Sequence, residues 1–396
     1  MFLPPPKPPT PPAPPSLSSV VRRSLRDRII ETLSYLSDEI DSRRVGGLGE
    51  AQAAGYVAGR LRRAEYAAAV QSFRASAGER LPLLALTTIG AAGGALAALR
   101  PETLWLAAAG LLVLLTIVLL LAEIEGPAPL RRMLKGTISQ SVVAVRAAGA
   151  RHARWRMIVL APLDGSPTPT LSRQGLLLLL AALVVESIGV GALFFVTTYG
   201  WRLLAAACAG LVAAIGLWLL RRLVVPALLP AIHGAGELTT LLMVAEELEP
   251  LQAIEVWTVA LGGGSVGHES IAALIEHYPF SPADTCIINL HNISAGQPVF
   301  VTREGLLRER RSDRMLLALA ADADALDMTI DAEPRPLRQQ TLAQAFHRQG
   351  LPAISITSHS DASVFANLDA DTIERCVRLV VGMVRGLDAA EARKER

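Results

Sequence analysis

Apolar residues recur along this chain in three patterns, and each pattern marks a different environment. Between Val20 and Glu65 they fall three and four apart among arginines and acids, at Leu25, Ile29, Ile30, Leu33, Leu36 and Ile40. They continue at Ala51, Ala54, Val57 and Leu61, within a second helix from about Gly49 to Arg63. Tyr66–Phe73 then alternates as a strand does. Four stretches follow a second pattern and are apolar throughout: Leu81–Leu99, Leu104–Leu121, Gly175–Val196 and Leu203–Leu220. Each is long enough to cross a bilayer. Arg100-Pro101-Glu102 breaks the first two apart, Thr197–Arg202 joins the second two, and Arg221-Arg222 closes the set, so the four pair into two helical hairpins.

The third pattern is a series of short apolar runs bounded by turn residues. Ser141–Val145 is one, and Met157–Leu160, inside Arg156–Gly165 and preceded by Trp155, reads as a buried central strand. Further strands are expected at Ala253–Leu261, Thr285–Ile293, Met328–Asp331 and Ala353–Thr357. Helices are expected at Leu238–Leu248, His268–His277, Asp313–Asp324, Leu342–Gln349 and Ala370–Leu387. This alternation predicts an α/β fold, a mostly parallel mixed sheet covered by helices and interrupted by two transmembrane helical hairpins.

The chain accordingly divides into seven parts. Residues 1–19 form a proline-rich tail, disordered and polyproline-like, that is a spacer or a docking segment for a proline-binding module. Residues 20–80 begin the α/β domain, 81–122 are the first hairpin, and 123–174 carry the second part of the domain with its central strand. Residues 175–222 are the second hairpin, 223–388 complete the domain, and 389–396 are a charged tail.

Composition supports the bilayer. Mean hydropathy is +0.38, and 51% of the residues are hydrophobic. A net charge of +2 leaves no electrostatic footprint for nucleic acid. Cys208, Cys286 and Cys376 are far apart, which suggests neither a zinc ribbon nor a disulfide framework. Arg131, Arg132, Lys135, Arg173, Arg221 and Arg222 flank the spans on the soluble side, whereas each hairpin turn carries one arginine. The positive-inside rule thus predicts a multi-pass protein of the cell membrane with its soluble domain in the cytoplasm. Glu186 is costly inside a span and marks either a pathway or a helix contact. Gly90, Ala91, Gly93 and Gly94 let helices approach closely, so a protein partner or a second copy is expected to pack through the spans.

Chemistry is sought at the carboxyl ends of the strands, where open α/β sheets build their sites. Gly262-Gly263-Gly264-Ser265-Val266-Gly267 follows a strand and precedes a helix, but it lacks the lysine of a Walker loop. His359 and Asp361, in TSHSD, read as a surface turn.

The order of the pieces resembles the co-catalytic zinc aminopeptidase family, which includes bacterial leucyl aminopeptidases, glutamate carboxypeptidase and degenerate members such as nicastrin. Gly46–Leu61 looks like the family's opening glycine and helix, and SVVAVRAAGARHARWRMIVLAPLDG like its strand pair ending in Ala-His-x-Asp. AIHGAGELTTLLMVAEEL is similar to the Asn-Asp-Asn-x-Ser-Gly turn with its helix, and VWTVALGGGSVGHES to the strand ending in Glu-Glu. CIINLHNISAG resembles the strand ending in Asp-Met-x-Gly, FHRQGLPAISITS the Phe-x-x-x-Gly-Ile-Pro-Ala strand, and FANLDADTIE the closing His-Thr-x-x-Asp-Thr.

The resemblance implies two metal ions and a glutamate base, yet nearly every ligand position has changed. The first histidine is Pro162, with its downstream aspartate kept as Asp164. The bridging aspartate falls on His233, the Glu-Glu pair among Gly263, Gly264 and Ser265, the second-metal aspartate on His291 and the closing histidine near Asn367. Thr341-Leu342-Ala343 stand where Ser-Asp-His is often seen. The expectation is therefore a vestigial pocket of Pro162, Asp164, His233, Gly264, Ser265, His291 and Asn367, with no catalytic residue and no cofactor. The alternative is a single zinc held by Asp164, His233 and His291, with His268 nearby. Degenerate members imply a binding, scaffold or assembly role, and the alternative implies a membrane-bound metallo-aminopeptidase.

Overall fold

The computed structural model describes residues 24–40, 42–75, 80–100, 102–125, 128–133, 136–149, 153–165, 173–193, 195, 199–224, 234–263, 269–359 and 368–394. Ser24 caps the first helix, α1 (Leu25–Ser34), by accepting from the Asp27 amide at 3.1 Å. One π-type turn, Tyr35–Glu39, leads to α2 (Leu48–Arg63) and strand β1 (Ala67–Ala75). Helices α3 (Arg80–Leu99) and α4 (Thr103–Glu125) form the first apolar hairpin, and the short α5 (Pro129–Met133) leads into β2 (Thr137–Arg146) and β3 (Trp155–Pro162). Helices α6 (Arg173–Leu193) and α7 (Tyr199–Val224) form the second hairpin. Then α8 (Ala235–Glu247), β4 (Ile254–Leu261), α9 (Glu269–His277), β5 (Thr285–Leu290), β6 (Gln297–Glu304) and β7 (Arg310–Arg311) follow. The described chain ends through α10 (Arg314–Leu326), β8 (Glu333–Leu337), α11 (Ala343–Arg348), β9 (Ala353–His359) and α12 (Ala370–Arg393).

Nine strands make one mixed sheet in the order β1-β2-β4-β3-β5-β9-β6-β7, with β8 also on β6. The middle four, β4, β3, β5 and β9, are parallel. Helices cover both of their faces, which is why they read as unbroken apolar runs. Along β3, Met157, Val159 and Ala161 pack into the core formed with α1, α2, α8 and α12, while Ile158 and Leu160 face the core formed with α9 and α11.

Three local expectations change. Met328–Asp331 is not a strand: Met328 and Thr329 form a turn, and the strand is β8, five residues later. Its Pro334 and Pro336, which cannot donate to a ladder, are tolerated because β8 sits at the sheet's margin. Strand β5 stops at Leu290 rather than Ile293, because Asn292 takes a left-handed φ of +48° and turns its amide to Glu237. Strands β6 and β7 follow a turn at Ala295-Gly296 and have no counterpart in the expected pattern.

Both hairpins are inserted where the chain's two ends already meet. Ala75, the last residue of β1, pairs with Thr137, the first of β2, so α3, α4 and α5 form the enlarged loop of an antiparallel β-hairpin. The second hairpin leaves after Asp164 and returns at Gly234, so close that a Cβ on Gly234 would lie 2.9 Å from the Asp164 carbonyl oxygen. Among the described residues, the four hairpin helices are those long and apolar enough to cross a membrane. Leu83, Leu120, Ile124, Leu176 and Leu219 cluster with Leu306 at the end near the sheet, and Ala97, Leu106, Leu193 and Ala205 at the end with both turns.

The near end is clamped by polar contacts. Gln340 Nε2 donates to the Ile124 carbonyl at 2.9 Å, the Arg308 amide to Glu125 Oε1 at 3.3 Å, and Arg131 Nε to the buried Glu123 at 3.2 Å.

Gly236, in the first turn of α8, faces the Ile293 carbonyl so closely that a Cβ would overlap it. Gly236→Ala should therefore cost about 1–3 kcal/mol by forcing backbone apart, read as a lowered midpoint in thermal unfolding of the detergent-solubilised protein.

Candidate functional site

The carboxyl ends of β3, β4 and β5 point towards one edge, and residues 42–47, ahead of α2, cross that edge. The Gly165 amide donates to the Arg43 carbonyl at 2.9 Å, which ties the crossing segment to the turn after β3. The Arg43 side chain is thereby carried inside. It is 1% exposed, beside Asp164 at 1% and Glu237 at 7%. Burial pushes the Arg43 guanidinium below its ordinary pKa, and the charges of Glu237 and Asp164 oppose that shift. Arginine remains charged under such conditions, so the edge holds a fixed cation between two carboxyl groups.

Glu237 is placed by the opening of α8. Its Oε1 accepts from the Asn292 amide at 2.8 Å, which uses the turn that ends β5. Burial raises its pKa, while its own amide, the Asn292 amide, the Arg43 charge and the Ile293 amide pull it back.

Glu50 of α2 closes the same edge from the other side. It accepts from the Gly46 amide and from Ser139 Oγ, each at 2.7 Å. Burial raises its pKa against these bonds and one from the Gly263 amide. It thus holds the glycine turn after β4 to the crossing segment.

His291, just beyond β5, turns towards the face covered by α11. Its Nε2 lies 3.4 Å from Gln339 Oε1. Burial lowers its pKa, opposed by the Gln339 contact and the Glu304 charge. Glu304 is fully buried and accepts from Thr341 Oγ1 and Ser355 Oγ, both at 2.7 Å, while His347 Nε2 stands 3.1 Å from its other oxygen.

Of the expected site residues, Asp164 joins Arg43 and Glu237, His291 joins Gln339 and Glu304, and Pro162 ends β3 half-buried. His359 ends β9, exposed. Thr341 serves Glu304, and Leu342 and Ala343 pack into the core under α11. His233, Gly264, Ser265, His268, Asp361 and Asn367 lie outside the described residues, as does the proline-rich tail. Among the described residues, no three of His, Cys, Asp and Glu converge as metal ligands. The unexpected members are Arg43, Glu50, Glu237 and Glu304. The signal for Glu237 was an acid in the first turn of a helix whose apolar middle carries none, and for Arg43 a charged pair one residue before two glycines.

No family model and no curated protein matches the chain in sequence. Solved structures do match its fold. A zinc aminopeptidase from Bacillus subtilis is similar with a TM-score of 0.54 and 11% identity, covering 92% of this chain and 96% of that one. An aminopeptidase from Aneurinibacillus sp. strain AM-1 gives 0.52 and 12%, over 91% and 93%. A glutaminyl cyclase from Tannerella forsythia gives 0.51 and 11%, over 91% and 97%.

The lowered pKa of His291 has a pH signature. Below the ordinary value of 6.5 the unfolded chain takes up a proton that the folded chain refuses, so stability contributed by neutral His291 is lost as pH falls. His291→Gln should flatten the decline of the unfolding midpoint on the acid side of 6.5, measured as the difference between the two proteins' pH profiles.

Proposed function

We propose that this is a multi-pass membrane protein whose aminopeptidase-like domain is catalytically degenerate and serves as a binding, scaffold or assembly module. The observation that supports it is the Arg43 guanidinium seated between Asp164 and Glu237 at the strand ends. In the zinc aminopeptidases that the sequence resembles, this region holds two metal ions. Here the first ligand position is Pro162, which offers no lone pair, and the carboxylate that remains, Asp164, faces an arginine. A fixed cation already answers the acids that metal would need, so we infer that these residues do not fit a two-metal centre. With no metal-activated water, the fold's surface and loops are left for recognition. The domain's position on the arginine-rich side of both hairpins supports a cytoplasmic face and a cell-membrane location.

Metal content by plasma mass spectrometry on detergent-purified protein, with a fluorogenic aminopeptidase panel, tests the reading. We expect neither stoichiometric zinc nor turnover. Zinc at one per chain with hydrolysis that a chelator abolishes would overturn it in favour of a site at Asp164, His233 and His291. Replacing His233 and His291 by alanine should leave retention of co-purifying partners unchanged. Arg43→Ala, by contrast, removes the cation beside two buried acids and should destabilise by about 3–5 kcal/mol, measured by thermal unfolding.

A further inference from the structure

Buried acids in the described structure are answered by donors or cations, with one exception. Glu50 has Ser139 and Gly46, Glu123 has Arg131, Glu237 has Asn292 and Arg43, Glu304 has Thr341 and Ser355, and Glu391 has Lys394. Glu186, fully buried in α6, has neither a side-chain donor nor a cation for its carboxylate oxygens among the described residues, and its one polar neighbour is the Gly94 backbone. It lies about 10 Å along the helix from Leu193 and about 20 Å from Arg173, well inside the apolar span.

The carboxyl has a fitted place. It rests against Gly94 of α3, where a Cβ would overlap Oε1, and that same Cβ would be 3.0 Å from the Ala209 side chain of α7. The facing helices bring no charge to it. Between Pro82 and Leu99, and between Thr103 and Ala122, no side chain is ionisable; between Leu203 and Leu220 there is Cys208 alone, and a thiol is no counter-cation. A carboxylate here would give up its hydration with no cation to offset the loss.

We propose that Glu186 is a proton-binding site of the membrane bundle, holding one proton while α3, α6 and α7 are packed and releasing it when the seam between α3 and α6 opens to water. The proposal rests on the reading that these helices lie in a bilayer. A contact role alone is its rival: a carboxyl that never ionises gives the same adduct at every pH, whereas one that exchanges its proton gives less as pH is raised.

Dicyclohexylcarbodiimide is apolar and reacts with protonated carboxyls. The acid's proton passes to one reagent nitrogen, its oxygen bonds the central carbon, and the acyl group then migrates to nitrogen as a stable N-acylurea, with nothing lost. Full-length protein in phosphatidylcholine–phosphatidylglycerol vesicles would be treated at neutral and at raised pH and its peptides read by mass spectrometry. We expect an adduct on Glu186 at neutral pH that lessens as pH is raised, complete loss of that adduct in Glu186→Gln, and no Glu186 labelling at neutral pH by a water-soluble carbodiimide with glycine ethyl ester. Gly94→Ala, which wedges the seam, should bring in labelling by the water-soluble reagent. Wild-type Glu186 that reacts at neutral pH with the water-soluble reagent, or with neither reagent, or whose adduct is the same at every pH, would overturn the proposal. Alkaline carbonate extraction keeps the two readings apart: release from the vesicles would refute the bilayer reading, and retention without the adduct would refute the proton site alone.

Discussion

The architecture depends on a closure constraint. A chain that enters a bilayer partway through a sheet must come back to the point it left, or the sheet cannot finish. Here both returns are built in before the insertion begins. The register of β1 and β2 brings Ala75 and Thr137 together, and the turn after β3 brings Gly234 against Asp164. With the loop ends held by contacts the domain makes anyway, lengthening the loop into a helical hairpin adds little closure entropy, because that cost grows only logarithmically. The two hairpins can then pack on each other as one bundle while the nine strands remain one sheet.

The same constraint places the second hairpin inside the candidate site. Its base lies at Asp164 and Gly234, at the carboxyl edge of the central strands. The crossing segment carrying Arg43 packs over that base, tied by the Gly165 amide. The Arg43 charge opposes those of Asp164 and Glu237, two buried acids at the base of the hairpin. Arginine suits the role better than lysine, since its charge survives burial and its planar fork can meet two acids at once.

Much of the fold could be read from periodicity, and the reasons are local. The central strands are buried on both faces and therefore apolar without a break, and the spans are apolar all round. Weak elements at the margins escaped. Strand β8 contains two prolines and offers no alternation, while the apolar pair in Met328–Asp331 imitated a strand without a neighbour to pair with. The site was half visible. Strand ends located Asp164 and His291, but Arg43 and Glu237 enter from a crossing segment and from a helix start. Neither has a fixed sequence spacing to Asp164, because a whole membrane hairpin intervenes. His291 illustrates the limit from the other side: its position at a strand end was evident, and the alternation of β5, with Ile287 on the α11 side and Ile288 and Leu290 on the other, turns it towards Gln339 and Glu304, but the partners waiting there come from distant segments.

How each buried charge is compensated separates structure from chemistry in this molecule. Glu304 and Glu50 sit among hydroxyls and amides contributed by neighbouring strands and turns, and those donors would be left unsatisfied without them. Such groups explain themselves as parts of the fold. Glu186 does not, because no described side chain offers it a donor or a cation, and Gly94 of α3 leaves the room its carboxyl occupies. Were it only a contact between helices, a serine or threonine, bonding back to its own helix as Thr87 and Thr116 do in this bundle, would fill the space at lower cost. An acid differs from those alternatives in one respect that matters inside a bilayer, which is that it can exchange a proton. The cost of keeping a carboxyl there is therefore best understood as the cost of that exchange.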